Sequence, residues 1–285
     1  MSLIKIEQKH NVNLAPFTTI KIGGVAEHFF IAHTSDDLGK IIEECSGQFY
    51  LLGAGSNLLI SDSFITRPVI KLGEKFCYTK YDGELLEAGA ATPVSSVINY
   101  TLRRSLSGLE GFAGIPATVG GLVAMNASAF GSDVSSSLVK LQVMDYNANL
   151  KVLEREEIKF DYRQSSVKNS MVILRAWFGL NPEADLRSKI DSFLKTRYAT
   201  QDFEFPSCGC IFKNPPSNAA GFLIESCGLK GLRCNDARVS LKHANFIVNL
   251  GKARYQDVDS LIQTVKEKVY NTHQIKLLEE IERWT

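Results

Sequence analysis

The chain has 285 residues, of which 45% are hydrophobic, and its 32 basic and 31 acidic residues leave a net charge of +1. A chain of this size can bury a sizeable core in two or three packed units. The balanced charge argues against a global field that would attract nucleic acid or an anionic membrane, so we expect neither as a partner. No run approaches the roughly 18 apolar residues of a spanning helix, and the N-terminus carries scattered charges instead of an apolar signal segment. We therefore expect a cytoplasmic protein without membrane insertion.

Residues 27–60 show a strand, helix, strand pattern. The run HFFIA predicts a strand, Ser35 is a candidate helix cap, and FYLLGAGSNLLI predicts a further strand region. The segment LGAGSNLL superficially resembles a dinucleotide fingerprint, but Leu58 occupies its third glycine position and a strand is predicted to follow. No GxxxxGK[ST] sequence is present either. The pattern thus predicts α/β architecture without a Rossmann or Walker site.

The middle of the chain combines one helix with a glycine-rich loop system and a set of strands. A helix is predicted directly after Pro93, and residues 108–131 are rich in glycine. Residues 138–180 contain β-rich runs joined by turn residues, so we expect antiparallel strands. Pro182 is predicted to open a helix that ends near Tyr198.

The last third of the chain holds four of the six cysteines and one clear amphipathic helix. The apolar side chains of this helix recur at positions i, i+3, i+4, i+7 and i+11, which predicts one buried face formed by Val258, Leu261, Ile262, Val265 and Val269. In a reducing compartment the cysteines are not expected to form disulfides.

Five motifs in a fixed order carry a resemblance to a known family. They are TIKIGG at 19–24, LLGAGSNLL at 51–59, GLEGFAGIPATVGG with MNASAFG at 108–131, YRQS at 162–165, and SCGCIFKNP followed by AGFLIE at 207–225. With these motifs the chain resembles the MurB family, UDP-N-acetylenolpyruvoylglucosamine reductase, from about residue 10 to residue 284. It is similar to the family's shorter type, which lacks an extra tyrosine loop.

The resemblance implies a mixed α/β and α+β fold, with an FAD-binding domain of the vanillyl-alcohol-oxidase type and a C-terminal substrate-binding domain. The implied divisions are 1–75, joined by the tail 272–285, then 76–197, and a substrate domain at 198–271. It also implies FAD as cofactor, NADPH as co-substrate and a small-molecule UDP-sugar enol ether as acceptor, in peptidoglycan precursor synthesis. We expect a monomer.

The glycine-rich motifs supply the residues that the resemblance assigns to FAD. Small residues let backbone N–H groups approach and cradle a pyrophosphate, although glycines that serve only tight turns would give the same pattern for either loop alone. The implied cofactor residues are Ile22, Gly23, Gly53, Ala54, Gly55, Ser56, Asn57, Gly114, Ile115, Pro116, Ala117, Thr118, Gly120, Gly121, Asn126 and Ala127. Ala117 departs from the family's usual glycine, so a required positive φ would strain this loop.

Two charged residues are implied to be catalytic. Reduction of an enolpyruvyl ether places negative charge on its carboxylate, and the guanidinium of Arg163 suits that charge. The alternative for Arg163 is a surface ion pair of little energetic weight. Glu280 matches the family's catalytic carboxylate, but Leu278 occupies the place of the pattern's first glutamate, so Glu279 stays open as an alternative.

Cys210 stands where the family has its proton-donating serine. A free thiol has a pKa of about 8.5 and can donate a proton at neutral pH. A zinc site formed with the other cysteines is a weaker alternative, because neither C-x-C nor C-x6-C matches the usual ligand spacing, and we expect no metal. Cys208, Cys227 and Cys234 are expected to be packed residues.

The substrate residues implied by resemblance are Tyr162, Arg197, Lys213 and Asn214. Lys213 could equally be a solvated lysine. Thr200 stands where some relatives have lysine, which weakens the transfer of a diphosphate-binding lysine to this chain. Two rival functions stay open: an oxidase or dehydrogenase acting on another substrate, and a catalytically silent flavin-binding protein.

Overall fold

The computed structural model describes residues 6–216 and 218–285, and it divides into two compact units. Unit 1 contains the described residues up to His10, together with His28–Ala54 and Arg67–Thr196. Unit 2 contains Asn11–Glu27, Gly55–Thr66 and Arg197–Thr285. The three-part division given above stays a prediction.

The helices and strands have the following bounds. The helices are α1 (Ser35–Glu44), α2 (Val94–Leu102), α3 (Val119–Ala124), α4 (Leu186–Thr200), α5 (Ala220–Ser226) and α6 (Tyr255–His273). The first strands are β1 (Glu7–Asn13), β2 (Val25–Ala32), β3 (Tyr50–Leu52), β4 (Leu58–Ile60), β5 (Phe64–Ile65), β6 (Val69–Leu72), β7 (Thr79–Tyr81), β8 (Leu85–Gly89) and β9 (Leu106–Ser107). The middle strands are β10 (Ser128–Ala129), β11 (Ser132–Asp133), β12 (Leu138–Asp145), β13 (Leu150–Glu154), β14 (Phe160–Asp161), β15 (Gln164–Ser165), β16 (Met171–Gly179) and β17 (Asn181–Pro182). The last strands are β18 (Ser207–Cys210), β19 (Arg233–Cys234), β20 (Ala237–Val239), β21 (Phe246–Asn249) and β22 (Glu282–Trp284).

Unit 1 contains a parallel arrangement and an antiparallel sheet. The strand, helix, strand order predicted for residues 27–60 is confirmed by β2, α1 and β3, and both strands pair in parallel with β6. The antiparallel sheet has the order β13-β12-β16-β8-β7, which confirms the antiparallel strands expected within 138–180. Its core includes Leu141, Val143 and Ala176 from this sheet and Val97 from α2. The mixed α/β class inferred from the sequence is confirmed.

Two helix starts in unit 1 differ from the sequence prediction. The N-cap of α1 is Thr34, not Ser35, because Thr34 Oγ1 accepts from the N–H of Asp37 while the Asp37 carboxylate accepts from the N–H of Thr34. Helix α4 begins at Leu186, not at Pro182. Pro182 instead pairs with Leu106 in a short antiparallel ladder, which holds this stretch extended until the helix begins.

Unit 2 contains an antiparallel sheet with the order β18-β21-β20-β19, and helices α5 and α6 belong to the same unit. The predicted apolar face of α6 is confirmed, since its five residues are all buried in the core of this unit. A parallel pair, β22 with β4, joins the C-terminal strand to residues that follow the first glycine loop. No helix within the described ranges has the length and apolarity needed to cross a membrane.

Gly24 shows why the TIKIGG motif needs its second glycine. Its N–H donates to the carbonyl of Ser61 at 2.7 Å, and its carbonyl accepts from Leu14 at 2.8 Å. A Cβ atom at this position would lie 1.9 Å from the carbonyl oxygen of Ser63, which belongs to the backbone and cannot move aside cheaply. The close approach of two backbone segments in unit 2 therefore requires glycine here.

We predict that Gly24→Ala lowers the free energy of unfolding by about 2 kcal/mol or more, because the methyl group must displace backbone. Urea unfolding followed by circular dichroism measures this. Gly221→Ala is the matched control, since that glycine lies within α5 and its Cβ would make only ordinary contacts, the nearest at 3.6 Å. Equal midpoints for the two variants would contradict the packing explanation.

Candidate active site

The loop that follows β3 presents backbone donors with no protein acceptor. In the part of the chain that the structure describes, the N–H groups of Gly53, Ala54, Gly55 and Ser56 donate no hydrogen bond. The Nζ of Lys71 donates to the carbonyl of Gly53 at 3.2 Å, and burial lowers the pKa of this lysine. A Cβ at Gly53 would lie 3.1 Å from Thr118 Oγ1, so the two glycine-rich motifs are adjacent in unit 1. Such a run of unpaired N–H groups is suited to an anionic ligand.

Gly55 is fixed by the TIKIGG segment within unit 2. Its φ of 65° lies in the left-handed region, and a Cβ there would lie 2.2 Å from the carbonyl oxygen of Phe17. The N–H of Thr19 donates to the carbonyl of Gly55 at 3.2 Å. Ile22, which the resemblance assigned to FAD, has its side chain buried in the unit 2 core, and its N–H and carbonyl both bond the hydroxyl of Thr18. These contacts support the loop, and the assignment of Ile22 to FAD stays a prediction.

The second glycine-rich segment ends in α3. Thr118 caps this helix by accepting from the N–H of Gly121. A Cβ atom added at Gly120 would lie 3.1 Å from the Cβ of Ala90. A Cβ atom added at Gly121 would contact only Thr118 Oγ1, at 3.5 Å. Ala117 does not have a positive φ, so the strain considered for this alanine is absent. Gly121 is therefore the exposed glycine of the segment, and Gly120 is a packing glycine.

The loop at 124–128 is fastened to the hairpin that carries Arg163. Asn126 Nδ2 donates to the carbonyl of Asp161 at 3.0 Å, and Ser165 Oγ donates to the carbonyl of Ala124 at 2.9 Å. Nη1 of Arg163 donates to both the carbonyl and the hydroxyl of Ser128. Because the partners are about 35 to 41 residues apart in the chain, sequence spacing gave no signal for Ser128.

Arg163 has an unusual backbone for its residue type. It lies in the turn between β14 and β15 with a φ of 58°, in the left-handed region that L side chains seldom occupy. Its guanidinium carbon lies 5.3 Å from the ring centroid of Tyr162, whose side chain is about half exposed. A left-handed backbone at an arginine whose side chain is held by hydrogen bonds is typical of a functional site. An arginine in a simple surface ion pair does not need such a backbone.

Asn126 provides a second test of whether a polar cofactor fits. Its Oδ1 atom is buried, and within residues 6–216 and 218–285 no donor reaches it. A buried amide oxygen without a donor is uncommon in proteins unless a water or ligand supplies one. Together with the N–H groups of Gly53 and Ala54 in the same unit, this acceptor fits FAD, whose pyrophosphate oxygens accept and whose flavin ring also donates.

The segment SCGC forms β18, and its two cysteines differ. Gly209 lies between them with a φ of 77°. Cys208 is buried in the unit 2 core, and this burial raises the pKa of its thiol to about 12, so it is a packed, protonated residue. Cys210 is only partly buried and interacts electrostatically with Arg197, which is buried. Burial lowers the pKa of Arg197, and the neighbouring Cys210 opposes that effect.

The C-terminal tail pairs with the chain that follows Cys210. The N–H of Glu280 donates to the carbonyl of Ile211 at 2.8 Å, and the N–H of Lys213 donates to the carbonyl of Leu278 at 2.8 Å. Asn57 Nδ2 donates to the carbonyl of Glu280 at 3.0 Å. In unit 2 the backbone of Glu280 therefore bonds Ile211, the residue after Cys210, and the side chain of Asn57, at the end of the first glycine-rich motif.

Glu279 is the poorer candidate for catalysis. Its carboxylate accepts from Lys266 at 2.5 Å and from Arg283 at 2.7 Å. Burial by itself favours a higher pKa, but the hydrogen bonds from Arg283 and Lys266 outweigh it and lower the pKa of Glu279. Because successive residues of an extended segment point to opposite sides, Glu280 lies on the other side from this ion-paired carboxylate.

The remaining predicted residues lie in unit 2 with structural contacts. Asn214 Oδ1 accepts from the N–H of Ala220 at the start of α5. The side-chain amide of Asn245 accepts from the N–H of Phe212 and donates to its carbonyl, which holds the segment that follows Cys210. All six cysteines are free thiols, and no group of three or more potential ligands in the described ranges could hold a metal ion.

Similarity to known proteins identifies both the class and the family of this chain. Residues 26–154 match the FAD binding domain, so the chain is an FAD-binding protein with a second functional region. Residues 201–284 match the C-terminal domain of UDP-N-acetylenolpyruvoylglucosamine reductase. The reductase of that name from Halalkalibacterium halodurans is 39% identical over 282 residues, 97% of this chain and 94% of that protein. The one from Synechococcus sp. is 38% identical over 290 residues, 96% of this chain and 93% of its own length.

A solved structure agrees with these sequence relatives. The crystal structure of UDP-N-acetylenolpyruvylglucosamine reductase (MurB) from Thermus caldophilus is 34% identical, with a TM-score of 0.87 and coverage of 99% of both chains. The chain belongs to the UDP-N-acetylenolpyruvoylglucosamine reductase, or MurB, family. The family assignment made from the motifs is confirmed, and so is FAD as the cofactor.

A substitution at Gly121 tests whether this segment binds FAD without disturbing the fold. We predict that Gly121→Ala weakens FAD binding roughly tenfold, because a methyl group on the exposed side of this segment prevents close approach and loses about one hydrogen bond. Titration of the FAD-free protein, followed by flavin fluorescence, measures the affinity.

Gly39→Ala is the matched control for this prediction, since its Cβ would make ordinary contacts within unit 1, the nearest at 3.6 Å. The melting temperatures of both FAD-free variants should stay close to that of the unaltered chain. FAD affinity that is the same in the two variants would remove Gly121 from the cofactor site.

Proposed function

We propose that this chain reduces the enolpyruvyl ether of UDP-N-acetylglucosamine to UDP-N-acetylmuramate with NADPH, in peptidoglycan precursor synthesis. The observation that supports the proposal is the backbone pairing, in unit 2, of the tail segment that contains Glu280 with the segment that directly follows Cys210. Family membership supports the same reaction. FAD, held by the glycine-rich segments that contain Gly53 and Gly121, would supply hydride transfer between NADPH and the enol ether.

Arg163 stabilises the negative charge that develops on the substrate carboxylate after hydride addition. Its guanidinium presents a planar set of donors and stays charged at any relevant pH. The hydrogen bonds to Ser128 fix the direction of the side chain before the charge appears, so no reorganisation is needed during the reaction. Tyr162, next in the chain, is proposed to contact the same end of the substrate.

Cys210 donates the proton that completes the reaction. The thiol proton passes to the α carbon of the substrate, the electron pair of the charged intermediate forms the new C–H bond, and the thiolate left behind takes a proton from solvent. Glu280 assists by polarising the intermediate, and the buried charge of Arg197 stabilises the transient thiolate. This account favours the reductase over a silent flavin-binding protein, because a serine-to-cysteine exchange preserves a proton donor.

The nucleotide end of the substrate is proposed to contact Lys213, beside the Asn214 that caps the start of α5. Lys213 is half-buried, and its N–H is fixed by the tail carbonyl of Leu278. Gly23, Ile115, Pro116 and Ala127 stay proposals as cofactor neighbours through the motifs they share with the glycine loops. The monomeric state and the cytoplasmic location also stay predictions.

We predict that Arg163→Ala slows reduction of the enol ether by roughly 10²–10³-fold while flavin reduction by NADPH stays nearly unchanged, because the arginine charge is needed only once the intermediate forms. Stopped-flow absorbance of the flavin separates the two half-reactions. Arg163→Lys keeps the positive charge but loses the forked arrangement of donors. Its rate of enol ether reduction should therefore lie between those of the unaltered chain and Arg163→Ala. An equal loss in both half-reactions would indicate a structural arginine.

We predict that Cys210→Ser keeps measurable turnover, whereas Cys210→Ala keeps flavin reduction by NADPH and loses roughly 10²–10⁴-fold in overall turnover, the usual contribution of a general acid. Iodoacetamide should inactivate the unaltered chain more than the serine variant, with substrate protecting. Cys234→Ala is the control for loss of a thiol elsewhere in unit 2. Full turnover by Cys210→Ala would limit Cys210 to packing.

A further inference from the structure

The C-terminal tail of unit 2 carries an ion-paired cluster centred on Glu279. Its Oε1 accepts from Lys266 Nζ on α6 at 2.5 Å, and its Oε2 accepts from Arg283 Nε at 2.7 Å. Arg283 also reaches α6, where Nη1 donates to Asp259 Oδ1 at 2.7 Å and to the hydroxyl of Tyr255 at 2.9 Å. We call these five residues the tail clamp.

The tail clamp is shielded from solvent enough for its charges to matter. The side chain of Glu279 is 18% exposed and that of Arg283 is 24% exposed. Burial by itself lowers the pKa of Arg283, but the hydrogen bonds to Glu279, Tyr255 and Asp259 and the charge of Glu279 outweigh it and raise that pKa. Partly buried pairs that share one carboxylate and several donors are stronger than isolated surface pairs, so this network can fix a backbone position.

The residues that flank Glu279 in the tail are held by backbone hydrogen bonds to residues 211–213 and by hydrogen bonds to Asn57. Glu280 donates to Ile211 and accepts from Asn57, while the N–H of Glu282 donates to the carbonyl of Asn57 at 2.9 Å. Leu277 and Ile281 are buried at either end, whereas the Leu278 side chain is 67% exposed and this residue is held through its carbonyl, which accepts from the N–H of Lys213. The backbone bonds fix the path of residues 278–280, and the carboxylate of Glu279 adds a side-chain attachment of this stretch to Lys266 on α6.

We infer that Glu279, held by Lys266 and Arg283, is a positioning residue that fixes the direction of Glu280 toward the substrate. The inference rests on the proposed function, because only that function gives Glu280 a role. The carboxylate of Glu279 is bound by Lys266 and Arg283, so Glu279 acts on the site through the neighbouring Glu280. Loss of its charge should loosen the tail while the hydride step from NADPH proceeds as before.

The experiment compares Glu279→Gln with Glu267→Gln in the FAD-loaded protein. Glu267 lies on the exposed side of α6 next to Lys266, so its variant removes the same charge without touching the tail clamp. Hydrogen–deuterium exchange of the tail peptide spanning residues 278–284, followed by mass spectrometry, reports the positioning directly. Stopped-flow kinetics reports the two half-reactions.

For Glu279→Gln we expect about tenfold faster exchange in the tail peptide and about tenfold slower enol ether reduction, with flavin reduction by NADPH and the substrate KM little changed. Glu279→Asp keeps the charge and should recover part of both losses. Glu267→Gln should match the unaltered chain in all measurements.

Unchanged tail exchange in Glu279→Gln overturns the inference whatever the activity. Faster exchange with an unchanged rate of enol ether reduction overturns it as well, because the position of Glu280 would then not govern the reaction. Failure of the proposed function is seen separately, as absence of enol ether reduction by the unaltered chain when its flavin is reduced by NADPH.

Discussion

The antiparallel pairing of residues 278–280 with residues 211–213 is the constraint on which the candidate chemistry of unit 2 depends. Two backbone hydrogen bonds join segments that lie almost seventy residues apart, one beside Cys210 and the other containing Glu280. Each strand is too short to be stable alone, so the pairing needs other support. That support comes from the parallel β22 and β4 ladder and from the amide of Asn57, which bonds the carbonyl of Glu280. Residues 278–280 are thereby held beside the segment that follows Cys210.

The glycine loops follow a different physical rule, in which backbone groups are left without protein partners. Most buried or loop N–H groups in folded proteins find an acceptor, yet those of residues 53–56 find none among the described residues. Gly55 keeps its left-handed backbone because the carbonyl of Phe17 leaves no space for a side chain. The protein therefore holds these donors in place for a ligand by close packing behind the loop. Gly55, one of the glycines proposed to bind FAD, is therefore also required by the local packing.

Polar side chains decide which of several similar residues is available for chemistry. Glu279 and Glu280 are adjacent and identical in type, but two cations hold Glu279. Cys208 and Cys210 are separated by one glycine, but only Cys208 is buried in the core. In both pairs, burial or ion pairing occupies one of two residues of the same type and leaves the other more accessible. Membership of the reductase family supports the proposal that Cys210 and Glu280 are the two residues that act on the substrate.

The sequence by itself determined the α/β class, the antiparallel strands of 138–180, the buried face of α6 and the family. These features arise from local periodicity and from motifs whose residues are contiguous, so they can be read without a fold. It placed the first turn of α1 one residue late and the start of α4 four residues early, because a threonine capping box and a two-residue ladder with Leu106 decide those ends. Only the tertiary structure decided that Ser128 holds Arg163, that Ala117 is unstrained, and that Glu279 is ion-paired. Those facts depend on contacts between residues far apart in the chain, and no local pattern of residues encodes which distant partner a side chain will meet.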